Sequence, residues 1–514
     1  MNFDKRIDAS VGNAMYPFEG AFQHGFQKTI DKGLIGIYDD YFGITRTAMR
    51  WNPLIFFHNM GIHASNRDYH VFGTGTTGAY SAAIEQIANE VTRYQEEYKN
   101  TLKPVIIMPT PTYGYFTKQP ENLGFEVVYL PRDRNNDWAV DPEKLDALIT
   151  EIHKDPVKRV VAYYDCNPNN PTGHIRDYNE TRAIADVLIK HNEATEEFER
   201  NSASQQGKKY QWINQLHTRK IRVIDDLVYL GTEYNPDKKP FPFAALNNRC
   251  EKDNLTNLVF TVAGGSKIGL NGLRTGLLIT TDSDRSKELF DKTRNCQYFA
   301  PFPNIFALEA VFPNSDNTEL NAMRDAHLAS LREAHQFSGN FLKALVNGID
   351  SVQCSDEDRG KMIRCVSHIL EISQESAKNI LSDGIDGINV ITSPESGFFH
   401  LLEFPNTNGK FYNNCFSHKQ FSGAQEIKDD DDIEKLFGFG FGIKLCRGSF
   451  CGFGTEDMIM RCSYAFSPGT IVEMSQKLTA GMLAIQNTEE LAEEYYSKKV
   501  FEALENAQQG GGRF

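Results

Sequence analysis

Ala263-Gly-Gly-Ser-Lys267-Ile-Gly-Leu-Asn-Gly-Leu-Arg274-Thr-Gly276 puts a lysine in an unusual setting. The run before it, Leu258-Val-Phe-Thr-Val262, is apolar and reads as a buried strand, so a turn of small residues delivers Lys267 from a rigid strand end. A lysine charge is costly to desolvate. Where one is held in a site its pKa falls and its amine becomes a nucleophile or base, the chemistry of a Schiff-base lysine. The flanking glycines let backbone and ligand approach closely, and Arg274 adds a planar donor suited to a phosphate. Two solvated cations on a strand-to-loop turn is the plain alternative, and the rest of the chain decides between them.

Working outward, short apolar strands alternate with helical segments. Val105–Met108, Gly124–Leu130, Arg159–Tyr164 and Ile221–Ile224 read as strands, and Tyr80–Val91 and Asp141–Ile149 as helices. That alternation predicts an α/β fold with a parallel sheet, in which ligands bind beyond the C-terminal strand ends. Each end carries polar residues. His70-Val-Phe-Gly73-Thr-Gly75-Thr76-Thr77-Gly78 is a Gly/Thr turn opening a helix, either an anion site or a simple threonine cap. Tyr113 follows the next strand, placed to stack on a flat ring or to pack in a loop. Asp165-Cys-Asn167-Pro-Asn-Asn170-Pro-Thr-Gly173 holds an extended, stiff backbone, and Asp225-Asp226-Leu-Val-Tyr229 sets a carboxylate beside a phenol.

Composition narrows the classes. The chain has 514 residues, 40% of them apolar, enough for one large and one smaller domain. Its 54 basic and 68 acidic residues leave a charge of −14 with no basic block, which argues against nucleic acid. No run approaches the ~20 apolar residues of a membrane span, and the first residues lack a signal-peptide core, so the expectation is a cytoplasmic protein without a membrane partner. Nine scattered cysteines do not form a disulfide framework or a zinc pattern, and no metal site is expected.

Further along, Glu319 to Val346 reads as a long helix linking the two domains. Beyond it, Met362–Val366, Ser396–Leu402, Phe441–Leu445 and Met458–Ala465 read as strands of a smaller α+β domain. Arg461 sits inside the last of these, where a buried guanidinium demands an anion. The expected boundaries are an N-terminal arm at 1–50, a large domain at 51–325 with a polar insertion or surface loop near 193–220, a small domain at 326–490, and a C-terminal helix and disordered tail at 491–514.

Taken in order, the Gly/Thr turn at 73–78, Asn167-Pro-Asn-Asn170-Pro-Thr-Gly173, Asp226-Leu-Val-Tyr229, Ser266-Lys267 with Gly272-Leu-Arg274-Thr-Gly276, and Arg461-Cys-Ser463 resemble the class I/II aminotransferases. These are the fold-type I pyridoxal-5′-phosphate enzymes of the aspartate aminotransferase kind, so the resemblance implies an α/β large domain with a mostly parallel sheet of the seven-stranded type flanked by helices, beside a smaller α+β domain. The resemblance implies transfer of an amino group between an L-amino acid and a 2-oxo acid through a Lys267 Schiff base. An amino-acid lyase or decarboxylase on the same cradle is the alternative. It further implies that Asp226 holds the pyridine nitrogen, that Asn170 and Tyr229 bond the ring hydroxyl, and that Tyr113 stacks on the ring. The phosphate would rest on Gly75, Thr76, Ser266 and Arg274, with Tyr38 reaching over from the second subunit of a homodimer. Arg461, together with Asn170, would bind the substrate. Two departures stand out: Lys267 to Arg274 spans seven residues where the family has eight, and the Asp225-Asp226 doublet leaves two candidates for the ring nitrogen.

Overall fold

The computed structural model describes residues 6–38, 43–98, 102–205, 220–248, 255, 258–280, 283–297, 300–414 and 423–486. These residues form two compact units. One comprises Asn13–Ala334 with Pro394–Gly397; the other comprises the described residues of Met1–Gly12, His335–Ser393 and Phe398–Phe514.

The first unit is built on seven strands: β1 (Tyr69–Phe72), β2 (Lys103–Thr110), β3 (Glu126–Pro131), β4 (Lys158–Cys166), β5 (Arg222–Asp226), β6 (Val259–Gly264) and β7 (Gly276–Thr280). Their order across the sheet is β1-β7-β6-β5-β4-β2-β3. β3, β2, β4, β5 and β6 run parallel, whereas β7 is antiparallel to both β6 and β1. The central strands carry Val and Ile on both faces because helices cover both faces, and every residue of β5, β6 and β7 is buried. Each fully buried Val or Ile contributes ~1.5–3 kcal/mol.

Helices fill the connections. α1 (Glu19–Asp31), α2 (Gly43–Trp51) and α3 (Pro53–Asn59) precede the sheet. α4 (Thr76–Tyr98) follows β1, α5 (Tyr115–Asn122) follows β2, and α6 (Pro142–His153) begins at the Asp141 cap. α7 (Tyr178–Gln205) joins β4 to β5. α8 (Ser283–Gln297), α9 (Phe302–Val311) and α10 (Thr318–Asn347) follow β7, and α10 matches the long helix expected there.

Three expectations need correction. The arm at 1–50 holds two helices: α1 buries Ala21, Gly25 and Thr29, a stripe of small residues at four-residue spacing that a search for large apolar side chains passes over. At Gly25 a Cβ would collide with Pro303 O of α9, so close helix contact takes the place of bulk. The polar stretch from 193 is helical as far as Gln205, since Glu, Arg and Ala are good helix formers whatever their polarity; 206–219 lies outside the described residues. Met362–Val366 is no strand but part of α11 (Asp356–Leu370), capped by Ser355, with Met362 and Val366 one turn apart on its buried face. The tail at 491–514 lies outside the described residues.

In the second unit an antiparallel sheet takes β8 (Asn389–Val390), β9 (Phe399–Glu403), β10 (Cys446–Arg447) and β11 (Ile459–Ser463) in the order β10-β11-β9-β8. Among the described residues no helix is long and apolar enough to cross a membrane.

Candidate active site

The C-terminal ends of β4, β5 and β6 lie side by side, with Cys166 opposite Asp226 and Asp226 opposite Val262. The ladder continues past the strands, Asn167 N donating to Asp226 O at 2.8 Å and Leu227 N to Val262 O at 2.7 Å. At the neighbouring edge Gly276 pairs with both Gly264 and Phe72, which brings the Gly/Thr turn to the same end of the sheet. Topology alone thus gathers residues near 75, 170, 226 and 267 from separate parts of the chain.

Alternation along β5 sends its two terminal carboxylates apart. Asp225 is consumed by structure: Arg176 Nη2 donates to its Oδ1 at 2.8 Å and Phe243 N to its Oδ2 at 2.8 Å. Asp226 has only neutral donors, Val228 N to Oδ1 at 3.0 Å and the Tyr164 hydroxyl to Oδ2 at 3.0 Å. Burial pushes the Asp226 carboxyl up to about 7, against the pull of those two bonds and of the Lys267 charge. Tyr164 itself is wholly buried in an aromatic box, edge-on to Tyr80 and Phe116, and its phenol is raised far out of reach of ionisation by burial and by Asp226. Tyr113 is half-buried and edge-on to the same Phe116, with ring centres 5.3 Å apart.

Lys267 lies in a single 3₁₀ turn, Ser266–Ile268, directly after β6. Its Nζ stands 5.5 Å from the centre of the Tyr229 ring, and Asn170 Nδ2 donates to the Tyr229 hydroxyl at 2.9 Å. The turn is fixed from outside. His327 Nε2 hydrogen-bonds Ile268 O at 2.7 Å, Phe18 stacks on the His327 ring at 4.2 Å, and Phe18 N donates to Gly269 O at 3.1 Å. Burial lowers the His327 pKa, and because Ile268 O can only accept, Nε2 is the donor.

Gly75 has φ +79°, and a Cβ there would come within 2.9 Å of Arg274 Nη2. Arg274 itself is left-handed at φ 51°, a conformation seldom adopted by a residue with a side chain, and it carries the guanidinium back to the Gly/Thr turn. Thr76 begins α4, and the hydroxyls of Ser266 and Thr275 are buried without a hydrogen-bond partner. Two orphaned hydroxyls, a guanidinium and the N-terminus of a long helix form a donor set that fits a phosphate dianion. Tyr229, Asn170, Asp226 and Lys267 fit a protonated heteroaromatic ring bearing a hydroxyl and a carbonyl. The residues therefore fit pyridoxal phosphate.

Of the residues singled out from sequence, Tyr38 is 74% exposed. Arg461 belongs to the other unit: it is buried in β11, donates from Nη2 to Ser10 O at 2.7 Å, and lies 4.5 Å from the centre of the Phe399 ring. Sequence reading missed Tyr164, Thr275 and His327. Tyr164 had a signal in strand alternation, lying two residues before Cys166 and thus on the same face of the sheet. His327 had none, because it arrives from a helix sixty residues away.

The profile of the family described as Aminotransferase class I and II matches residues 32–194, a segment that includes Tyr38, Gly75, Thr76, Tyr113 and Asn170. A histidinol-phosphate aminotransferase of Blochmanniella pennsylvanica is 33% identical over 89 residues, 17% of this chain and 22% of that protein. An aspartate aminotransferase of Musicola paradisiaca is 34% identical over 86 residues, 17% and 20%. The chain thus spans about a fifth of the length of these curated relatives. Likeness of fold extends much further. A Thermus thermophilus aspartate aminotransferase double mutant aligns over 93% of this chain and 92% of its own, at 14% identity and a TM-score of 0.61. The Rhizobium meliloti aspartate aminotransferase aligns over 94% and 92%, at 16% and 0.62. Residues 32–194 carry the match to the class I and II aminotransferases, and nearly the whole chain has the aspartate aminotransferase fold.

Proposed function

We propose that this protein is a pyridoxal-phosphate-dependent aminotransferase that moves an amino group between an L-amino acid and a 2-oxo acid. One observation carries the reading: a strand-end lysine stands over a phenol beside a buried carboxylate, next to an Arg274–Gly75 cradle with orphaned hydroxyls. Bound there, the cofactor supplies an electron sink for the pair left when an amino acid's Cα–H bond breaks. Lys267 Nζ is the base for that proton, held at its post by the His327–Ile268 bond. Asp226 keeps a proton on the ring nitrogen, and Tyr164 and Val228 keep Asp226 aimed. Asn170 and Tyr229 hold the ring hydroxyl, Tyr113 covers the ring, and Gly75, Thr76, Ser266 and Arg274 hold the phosphate. Arg461 is the proposed anchor for a substrate carboxylate, supported by its burial in an apolar strand.

We further propose a homodimer in which Tyr38 of each copy reaches the partner's phosphate. The support is the 74% exposure of the Tyr38 side chain in the single chain. Free thiols at Cys166, Cys354, Cys365, Cys446, Cys451 and Cys462 support a reducing compartment such as the cytoplasm.

The decisive experiment mixes purified, cofactor-loaded protein with a panel of amino acids and follows the cofactor spectrum and the products. Stoichiometric 2-oxo acid with conversion of the cofactor to its amine form is the expected result. Release of CO₂ or ammonia with the cofactor spectrum unchanged overturns it in favour of a decarboxylase or lyase. Sedimentation at assay concentration tests the dimer, which a fully active monomer would refute.

A further inference from the structure

Cys446 and Cys451 stand together in the second unit in a way the aminotransferase reading does not use. Cys446 lies in β10, directly opposite Arg461 in the antiparallel register with β11. The chain then folds back on itself: Gly448 N donates to Ile459 O at 2.8 Å, Cys451 N to Gly448 O at 2.7 Å and Phe453 N to Gly448 O at 3.2 Å. This tight loop turns the buried Cys451 back toward the half-buried Cys446, close enough for the two thiols to act on each other electrostatically, while Cys446 Sγ donates to Arg447 O at 3.8 Å. One sulfur is reachable, the other is sheltered behind it, and a guanidinium lies alongside.

We propose that Cys446 and Cys451 are a peroxide-reactive pair, Cys446 as the attacking thiol and Cys451 as the resolving one. The neighbouring Cys451 thiol and the charge of Arg461 together pull the Cys446 thiol below its ordinary range, despite burial and the nearby Glu434. Cys446 and burial push Cys451 up instead. In the first step the Cys446 thiolate attacks one oxygen of hydrogen peroxide. The O–O bond breaks, the departing hydroxide takes a proton to become water, and the sulfur is left as sulfenic acid. In the second, the Cys451 sulfur loses its proton and displaces that hydroxyl, forming the S–S bond and a second water. Two thiols and one peroxide give one disulfide and two waters, and a thiol reductant reverses the change.

The test treats the full-length, cofactor-loaded protein with hydrogen peroxide and maps it with trypsin without reduction. Cleavage after Lys444, Arg447 and Arg461 separates the two cysteines onto Leu445–Arg447 and Gly448–Arg461. The expected map joins those two peptides, and dithiothreitol releases them. With Cys451→Ser, dimedone should label Cys446 at least roughly tenfold faster than the half-buried Cys354, whose thiol burial raises. With Cys446→Ser, neither the joined peptide nor a dimedone adduct on Cys451 should form. A joined peptide absent from the wild-type map overturns the pair even if both variants fail to fold. Dimedone labelling of Cys446 no faster than that of Cys354 overturns its role as the attacking thiol.

Discussion

Two buried carboxylates on neighbouring strands, Asp165 in β4 and Asp226 in β5, meet opposite surroundings. Asp165 lies between two guanidiniums, paired through one oxygen with Arg132 and through the other with Arg176. Burial pushes its carboxyl up, but the two cations outweigh burial and hold it below the ordinary carboxylate range. Arg176 also pairs with Asp225 and stacks on Phe243 at 4.0 Å, so one guanidinium ties both carboxylates together. Asp226, across the ladder from Cys166, is held by a phenol and an amide and stays poised near neutrality. A carboxylate matched by fixed cations is architecture. One matched only by neutral donors retains unspent demand for a cation, which a protonated ring nitrogen can meet.

The largest expected effect separates chemistry from architecture outright. Lys267→Ala should lower turnover roughly 10⁴-fold or more, remove any borohydride-reducible link to the cofactor, and leave the denaturation midpoint nearly unchanged. A reducible link at another lysine would move the site. Arg176→Ala should do the reverse, unfolding the protein more easily by about 3–5 kcal/mol because it leaves buried Asp225 with no cation and Asp165 with Arg132 alone, as read from urea titration.

Next in size is the pH dependence of Asp226. Its folded pKa lies above the unfolded value of 3.8, so its contribution favours folding below about pH 4 and is lost as pH rises through about 7. Asp226→Asn should therefore stabilise cofactor-free protein at pH 8 by a few kcal/mol, ~3 as an order of magnitude, with little gain at pH 4, while slowing proton abstraction about 100-fold or more. Equal stability differences at both pH values would contradict the poised carboxylate. Asp225→Asn should leave proton abstraction intact and cost stability; catalytic loss there would shift the ring contact back one residue. The smallest effect sharpens the comparison: Tyr164→Phe removes one neutral donor worth ~1 kcal/mol. It should raise the pH at which cofactor binding titrates by roughly one unit, followed by fluorescence quenching.

What was legible in the sequence follows the same division. Strand ends bearing Asn170, Asp226 and Lys267 could be read because continuous apolar runs stop abruptly at polar residues. The choice between Asp225 and Asp226 could not, since either lies at the strand end and only the positions of Arg176 and Phe243 separate them. Met362–Val366 looked like a strand because five residues cannot distinguish period two from period 3.6, whereas the Ser355 cap and the Met362–Val366 spacing settle it over fifteen. The α1 helix hid because glycine and alanine make its contact with α9, and such contacts leave no hydrophobic signature.

The pairing of β1 with β7 has a consequence for how the chain is made. Tyr69 opposes Ile279, so the edge carrying the Gly/Thr turn has no partner until some two hundred further residues exist. Closing a loop of that length before its contacts form is entropically unfavourable, and non-local strand pairing of this kind is slow. During synthesis β2 to β5 can pair among themselves first, whereas β1 waits with its backbone groups open. The proposed phosphate cradle, split between Gly75 and Arg274 on either side of that wait, is then among the last parts of the sheet to assemble, and a chain truncated before Gly276 lacks the β7 pairing that brings its two halves together.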